Sequence, residues 1–461
     1  VTITCLIKNS KKKNDGFIHY YDIGDYLTRG QKLNIIKNKL SIENIEWTKI
    51  VPDDNNDWIN MKNNKFYEFT PLCPDNKYVE SESLFVTYSL GIATNKDPFL
   101  YNFSKVKLMK NADSMIEFYN DEREKKNKNT SYNIKYDNSK IVWTDLFLRN
   151  LRNNTVFDKA NEANVMKSLY RPFCKQNLYY KSELLQRTYQ MSKIYPTAMH
   201  KNLMICVSGK GAKKGFSCII TDSISDLNMM EAGAQSFPMY WYEEKENNLY
   251  DLDKKQNNMM HDGISSIALK KVCEKYSTNI SKEDLFYYVY GILSSKDYKK
   301  EFATNLSKEL PRIPIVDSYD DFCEFVDGGK KLANLHLNYE KIEPYKKCEI
   351  IKNKEIYKVT KMKFGKDKDK STIIYNDNII IKNIPEKAYE YIVNGKSAIE
   401  WIMERYAVTT DKKSGIVNDP NDWCYEVNDE KYIFNLLLRV INVSVKTMKI
   451  IESLPKLNFD E

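Results

Sequence analysis

The sequence predicts an α+β fold in which mixed β cores are set between helical segments and a helical stretch closes the chain. Three observations carry this. Between residues 203 and 242, three runs of β-branched and aromatic residues are separated by glycine-containing turns. Between 261 and 306, and again after 388, apolar residues recur at a helical period. Residues 345–385 return to short, alternating, lysine-flanked strands. No internal repeat is visible.

The elements follow in order. Val1–Ile7 and Phe17–Ile23 flank the turn Asn14-Asp-Gly16 and read as a β-hairpin. A start inside a strand-like run without Met predicts a piece of a longer chain. Asp25–Leu40 has helical spacing, and Trp47–Val51 reads as a strand before the polar stretch Asp53–Asp57. A second part opens near Tyr78 with a strand over Ser83–Tyr88 that ends at Gly91. An amphipathic helix is expected over Lys105–Arg123, with a solvated loop through Asn129, and further helix over 141–169. Strands are expected at Leu203–Val207, Phe216–Thr221 and Phe237–Tyr242, then helices at His261–Tyr276, Glu283–Leu293 and Lys296–Leu306. Glu349–Ile351, Ile356–Thr360, Ile373–Tyr375 and Ile379–Lys382 read as strands; Ala388–Val393, Ala398–Arg405 and Ile433–Ser453 read as helices.

Composition bounds the function. Thirty-three Tyr, nineteen Phe and six Trp in 461 residues supply a large core and exclude a wholly disordered chain. No apolar run approaches the length of a membrane span. Seventy-one basic against 63 acidic residues leave +8, a mild excess that suits one basic groove. Nine scattered cysteines without a CxxC pair read as free thiols of a reducing cytoplasm. The isolated histidines His19, His200, His261 and His336 read as structural, so no metal site is expected.

Motifs for chemistry are few. Gly209-Lys-Gly-Ala-Lys-Lys-Gly215 follows a strand but fits neither GxGxxG nor GxxxxGK[ST], and a strand follows it where a phosphate loop needs a helix. It reads as a hairpin tip carrying Lys210, Lys213 and Lys214, either pressed on a phosphodiester backbone or solvated. Asp317, Asp320 and Asp321 resemble a nuclease metal site by composition alone; Ser318 as a helix cap explains them better. Asn418-Asp-Pro-Asn421 departs from the Asn-Pro-Pro-Tyr signature of an adenine methyltransferase. The segment Tyr170-Arg-Pro-Phe-Cys-Lys-Gln-Asn-Leu-Tyr-Tyr180 gathers cations and tyrosines suited to bases and phosphates, or to a core in which aromatics pack and cations snorkel.

These segments carry a resemblance. Tyr170–Phe173 with Leu178–Tyr180, Phe216–Asp222 with Asp226-Leu227, and Phe237–Tyr242 resemble the C-terminal part of the type ISP restriction-modification enzymes. So do Tyr288–Leu293, Leu310–Pro314, Leu332–Leu337, Ile18–Asp25, Gly91–Asp97 with Tyr101–Phe103, Ala398–Trp401 and Gly415–Asn421. The resemblance implies a parent chain carrying nuclease, helicase-like ATPase, coupler, N6-adenine methyltransferase and target recognition domains. It further implies a methyltransferase remnant over 1–77, a DNA target recognition domain over 78–344 and a strand-and-helix subdomain over 345–461. The parent would use S-adenosylmethionine, ATP and magnesium; no catalytic, cofactor or metal residue is expected in this chain.

The expected partners are duplex DNA and the remaining domains of the parent. The DNA-binding set read from the residues is Arg171, Lys175, Gln176, Tyr179, Arg187, Gln190, Lys210, Lys213 and Lys214. Segment 170–242 is expected to touch bases, its hairpin lysines to touch phosphates, and the C-terminal helices to act as scaffold or clamp. The alternative is a protein-interaction region without DNA readout. A single concave basic face would separate the two.

Overall fold

The computed structural model describes residues 17–24, 27–53, 56–59, 61–244 and 258–459. It divides into two compact units, one ending at Asn63 and one running from Asn64.

In the first unit, strand Ile18–Tyr20 pairs antiparallel with Thr48–Ile50, in register Ile18 to Ile50. The other half of the expected hairpin, Val1–Gly16, lies outside the described residues. The helix is Arg29–Lys39 and starts four residues later than its periodicity suggests. Thr28 and Gln31 form a reciprocal capping box there, which satisfies free N–H groups that no upstream turn could serve.

The second unit begins earlier than the expected boundary at residue 78. Phe66 and Leu72 are buried, and strand Thr70–Pro71 pairs with Arg312–Ile313, so residues 64–77 belong to this unit. Two hydrophobic cores fill it. The first is built on a sheet ordered Ile224–Ser225, Val165–Arg171, Cys174–Tyr179 and Tyr101–Asn102. The helix Lys105–Lys128 packs on it through Leu108, Ala112, Met115 and Tyr119. Tyr357, Ile373, Ile399 and Leu437 join the same core, so the expected division at 344/345 cuts through one packed interior. The second core lies under a sheet ordered Ser89–Leu90, Gln235–Pro238, Met204–Val207 and Cys218–Thr221. Helices Ser266–Tyr276, Lys282–Ser294 and Tyr319–Leu337 cover it.

Several elements differ from expectation for local reasons. The Lys105 helix runs to Lys128, because Lys125 and Lys128 pair with Asp121 and Glu124 one turn back. Within the 141–169 stretch the α-helix is confined to Asp145–Arg152, with a 3₁₀ turn at Glu162–Asn164; Val165–Arg171 is a strand held by Cys174–Tyr179. His261 sits in strand Asn258–Asp262, and the following helix waits for its Ser265 cap. Residues 356–360 are irregular although Tyr357 and Val359 are buried. The helix expected over 388–393 is a 3₁₀ turn, Glu386–Tyr389, followed by strand Ile392–Val393. That strand reverses at Asn394-Gly395, both with positive φ, a two-residue hairpin turn. Among the described residues, no helix is long and apolar enough to cross a membrane.

The helices Lys282–Ser294 and Tyr319–Leu337 approach so closely that side chains are excluded at the crossing. A Cβ on Gly291 would stand 2.4 Å from the Phe325 carbonyl oxygen, and one on Gly329 2.0 Å from that of Tyr287. At the end of this crossing, His336 is fully enclosed. Its Nδ1 lies 2.6 Å from the Tyr290 hydroxyl and its Nε2 2.9 Å from Thr447 Oγ1. Its ring stacks on Tyr391 at 5.0 Å and 2°, with Phe173 edge-on at 6.4 Å. A neutral imidazole donates from one nitrogen and accepts at the other, which two hydroxyls can match.

Burial pushes the His336 pKa down from 6.5 to about 3. The unfolded chain therefore takes up a proton between those values and the folded chain does not. This group's contribution to stability is complete above pH 6.5 and is lost as pH falls towards 3. Replacing His336 by Ala should cost about 3–5 kcal/mol at neutral pH through cavity and lost hydrogen bonds. In chemical unfolding followed from pH 7 to 5, the gap between wild type and variant should narrow; a constant gap would contradict a neutral buried ring.

Candidate nucleic-acid interface

The sequence-predicted residues fall in three places. The first is the interior hairpin Val165–Arg171/Cys174–Tyr179, whose turn at Phe173 adopts φ 57° with the ring buried. Arg171 directs Nη1 to Asp226 Oδ1 at 2.7 Å and lies 4.0 Å over the Tyr170 ring, with its side chain 14% exposed. The Tyr170 hydroxyl donates to Asp97 Oδ2 at 3.0 Å. Burial pushes the Asp226 carboxyl up to about 7 against the pull of Arg171, and the Asp97 charge adds to the rise. Lys175 pairs with Asp222 at 2.9 Å. Gln176 accepts from Asn418 Nδ2 at 3.1 Å, and the enclosed Tyr179 hydroxyl accepts from Asn161 N at 3.0 Å and Asn164 Nδ2 at 3.2 Å.

Arg171, Gln176 and Tyr179, expected as DNA contacts, are interior, while Lys175 lies at a cleft beside the exposed Asp222. Each polar head has a protein partner; freeing Arg171 would leave the buried Asp226 unpaired, whereas Asp222, the partner of Lys175, is exposed. Polar residues of an edge-exposed hairpin and of a fully covered one read identically in sequence; only the covering layers distinguish them.

The second place is the segment beside the edge strand Ser89–Leu90. Arg187 exchanges backbone hydrogen bonds with Ala93 at 2.9 and 3.0 Å and leaves its side chain exposed. Gln190 N donates to Ser89 Oγ at 3.1 Å, and its Oε1 accepts from the Tyr78 hydroxyl at 2.8 Å. Tyr78 packs on Trp241 at 4.6 Å, Trp241 stacks on His261 at 4.3 Å and 15°, and Lys193 Nζ lies 4.4 Å over Tyr78. This half-exposed aromatic ladder with cations beside it was not legible in the sequence. Trp241 and His261 meet because strands Tyr240–Glu244 and Asn258–Asp262 pair in that register.

The third place is the hairpin tip. Met204–Val207 and Cys218–Thr221 pair as expected, with Val207 opposite Cys218. The tip is pinned by its backbone: Gly209 N donates to Glu231 O at 3.1 Å, Gly211 N to Ser307 O at 2.8 Å, and Lys214 N to Glu231 Oε2 at 2.8 Å. A Cβ on Gly209 would stand 2.0 Å from the Ala232 carbonyl oxygen, so glycine is required there. Lys210, Lys213 and Lys214 project exposed side chains, and none has a carboxylate within ion-pairing distance among the described residues. Tip and ladder leave opposite ends of one sheet: the tip follows Val207, and Tyr240 follows Pro238, the partner of Met204. The nine residues therefore do not gather on a single face.

Replacing Arg171 by Ala would strand Asp226 in the interior. The expected loss is about 3–5 kcal/mol of stability. Urea unfolding reads this directly, and a variant as stable as wild type would return Arg171 to the surface-contact set.

Residues 83–436 match the Type ISP C-terminal specificity domain. No curated protein matches the chain. Among solved structures, the chain is similar to a nuclease-deletion mutant of the Type ISP restriction-modification enzyme LlaGI in complex with a DNA substrate mimic. The match has 37% identity and a TM-score of 0.84, over 98% of this chain and 40% of that one. It is similar to the ATP-dependent Type ISP enzyme LlaBIII bound to DNA, at 38% identity and TM-score 0.84, over 98% of this chain and 28% of that one. The DrdV–DNA complex follows at 26% identity and TM-score 0.80, over 96% and 44%. The chain thus spans less than half the length of each of these structures, and it belongs to the Type ISP C-terminal specificity domain family.

Proposed function

We propose that the chain is the sequence-specific duplex DNA recognition region of a single-chain restriction-modification enzyme. In this reading it delivers a target adenine to an adjoining N6-adenine methyltransferase and controls cleavage. The observation that carries it is the family match over 83–436, together with relatives solved in DNA complexes at 37% and 38% identity. The protein-interaction alternative has no comparable support. S-adenosylmethionine, ATP and magnesium would serve other domains of the parent, in the cytoplasm.

The geometry supports a division of labour. The tip lysines are point charges on a rigid backbone, suited to phosphates and poor at telling bases apart. Arg187 and Gln190 lie on a segment fixed by backbone hydrogen bonds, and their planar heads suit guanine and adenine edges. The ladder of Tyr78, Trp241 and His261 holds Gln190 in place through the Tyr78 hydroxyl.

Filter binding at rising salt tests this. Affinity for duplex DNA should fall steeply, and substituting Lys210, Lys213 and Lys214 by Ala should reduce the log–log slope by about one unit per phosphate contact removed. Cognate and random duplexes should lose equally. Arg187→Ala should instead cost about 1–3 kcal/mol on a cognate site selected from a random pool, and less on random DNA. Affinity flat across the salt range would remove DNA binding as the function.

A further inference from the structure

We propose that a cavity beside the interior hairpin binds a small ligand carrying a phosphate monoester next to a flat apolar body, its anionic group held between Lys167 and Arg439. The cavity measures about 580 Å³ and is walled by strands Val165–Arg171 and Cys174–Tyr179 and by helices Pro420–Glu426 and Tyr432–Ser453. Sites for small ligands run from about 300 to 1,000 Å³.

The charges lining it are satisfied on one side only. Asp222 is paired with Lys175 at 2.9 Å and accepts from Ser223 Oγ at 2.9 Å. Glu340 accepts from the Tyr432 hydroxyl and lies 4.0 Å from Lys175. Asp429 accepts from Lys431 N at 3.0 Å. Every carboxylate in the wall thus has a partner.

The remaining cations have none of that kind. Lys167 Nζ lies 3.5 Å over the Trp423 ring, with no carboxylate within ion-pairing distance among the described residues. Burial pushes it down to about 8 although the Glu340 and Glu426 charges pull it up, so an arriving anion would be met by an ammonium that makes no direct ion pair. Arg439 Nε is buried without a hydrogen-bond partner. A buried orphan donor on a guanidinium is costly unless an acceptor arrives, and its planar fork fits phosphate oxygens two at a time. Lys341 stands exposed at the rim. Phe103, Tyr406 and Trp423 supply flat apolar walls beside these cations, which suits the body of a nucleoside monophosphate.

Calorimetry on this chain with deoxyadenosine monophosphate and with inorganic phosphate is the test. Saturable binding of the nucleotide is expected, with a dissociation constant of about 10 µM to 1 mM, and weaker binding of phosphate. Lys167→Met and Arg439→Gln should each weaken it at least about tenfold, which corresponds to 1.4 kcal/mol. Lys341→Glu, at the exposed rim, disturbs no packing and should weaken binding too; it decides the question if the buried variants unfold. No saturable heat with either probe, or unchanged affinity in Lys341→Glu and every folded variant, would overturn the proposal. So would Lys167→Met losing duplex affinity while wild type ignores the nucleotide, since the cavity would then be a DNA backbone contact. Salt-dependent duplex binding that survives in all three variants leaves the DNA-reading function standing whether or not this site does.

Discussion

The buried imidazole of His336 is the contact on which the larger unit turns. It touches Tyr290, in the core under the 89–237 sheet, and Tyr391 and Phe173, in the core under the 165–179 hairpin. Thr447 brings in the last long helix. A polar ring in such a place is costly unless both nitrogens are served, so its partners have little freedom to shift. Gly291 and Gly329 make the placement possible by letting the two flanking helices close on backbone. The two cores are therefore coupled through a hydrogen-bonded ring and not through apolar surface alone.

The same logic governs the charged hairpin. Arg171, Gln176 and Tyr179 look like part of a recognition surface, yet the helix Lys105–Lys128 and the C-terminal helices cover the hairpin that carries them. Their polar heads find protein partners in Asp226, Asn418, Asn161 and Asn164, and Lys175, beside the cleft, pairs with the exposed Asp222. The consequence for function is a redistribution. Of the residues proposed to contact DNA, those at the surface are the pinned lysine tip at one end of a sheet and Arg187, on the segment beside the aromatic ladder toward the other. The cavity at Lys167 and Arg439 lies between the interior hairpin and the last helices, and Arg439 Nε is left there without a hydrogen-bond partner.

Much of this was local and so determined by the sequence alone. The strands around Gly209–Gly215, the Ser318 cap, the helices Lys282–Ser294 and Ala398–Arg405 and the long C-terminal helix follow from periodicity, capping and turn residues. The family was legible too, because the segments that resemble it occur in order along the chain, and its model matches residues 83–436. What the tertiary structure decided was which polar residues face water. Tyr357 and Val359 are buried without forming a strand, and Tyr179 is enclosed while Arg187, eight positions on, is exposed. Trp241 reaches His261, and Tyr78 reaches Gln190, only through strand register and sheet order. Periodicity reports that an element has two faces; which face another layer will cover depends on residues hundreds of positions away, and burial is set by that covering layer.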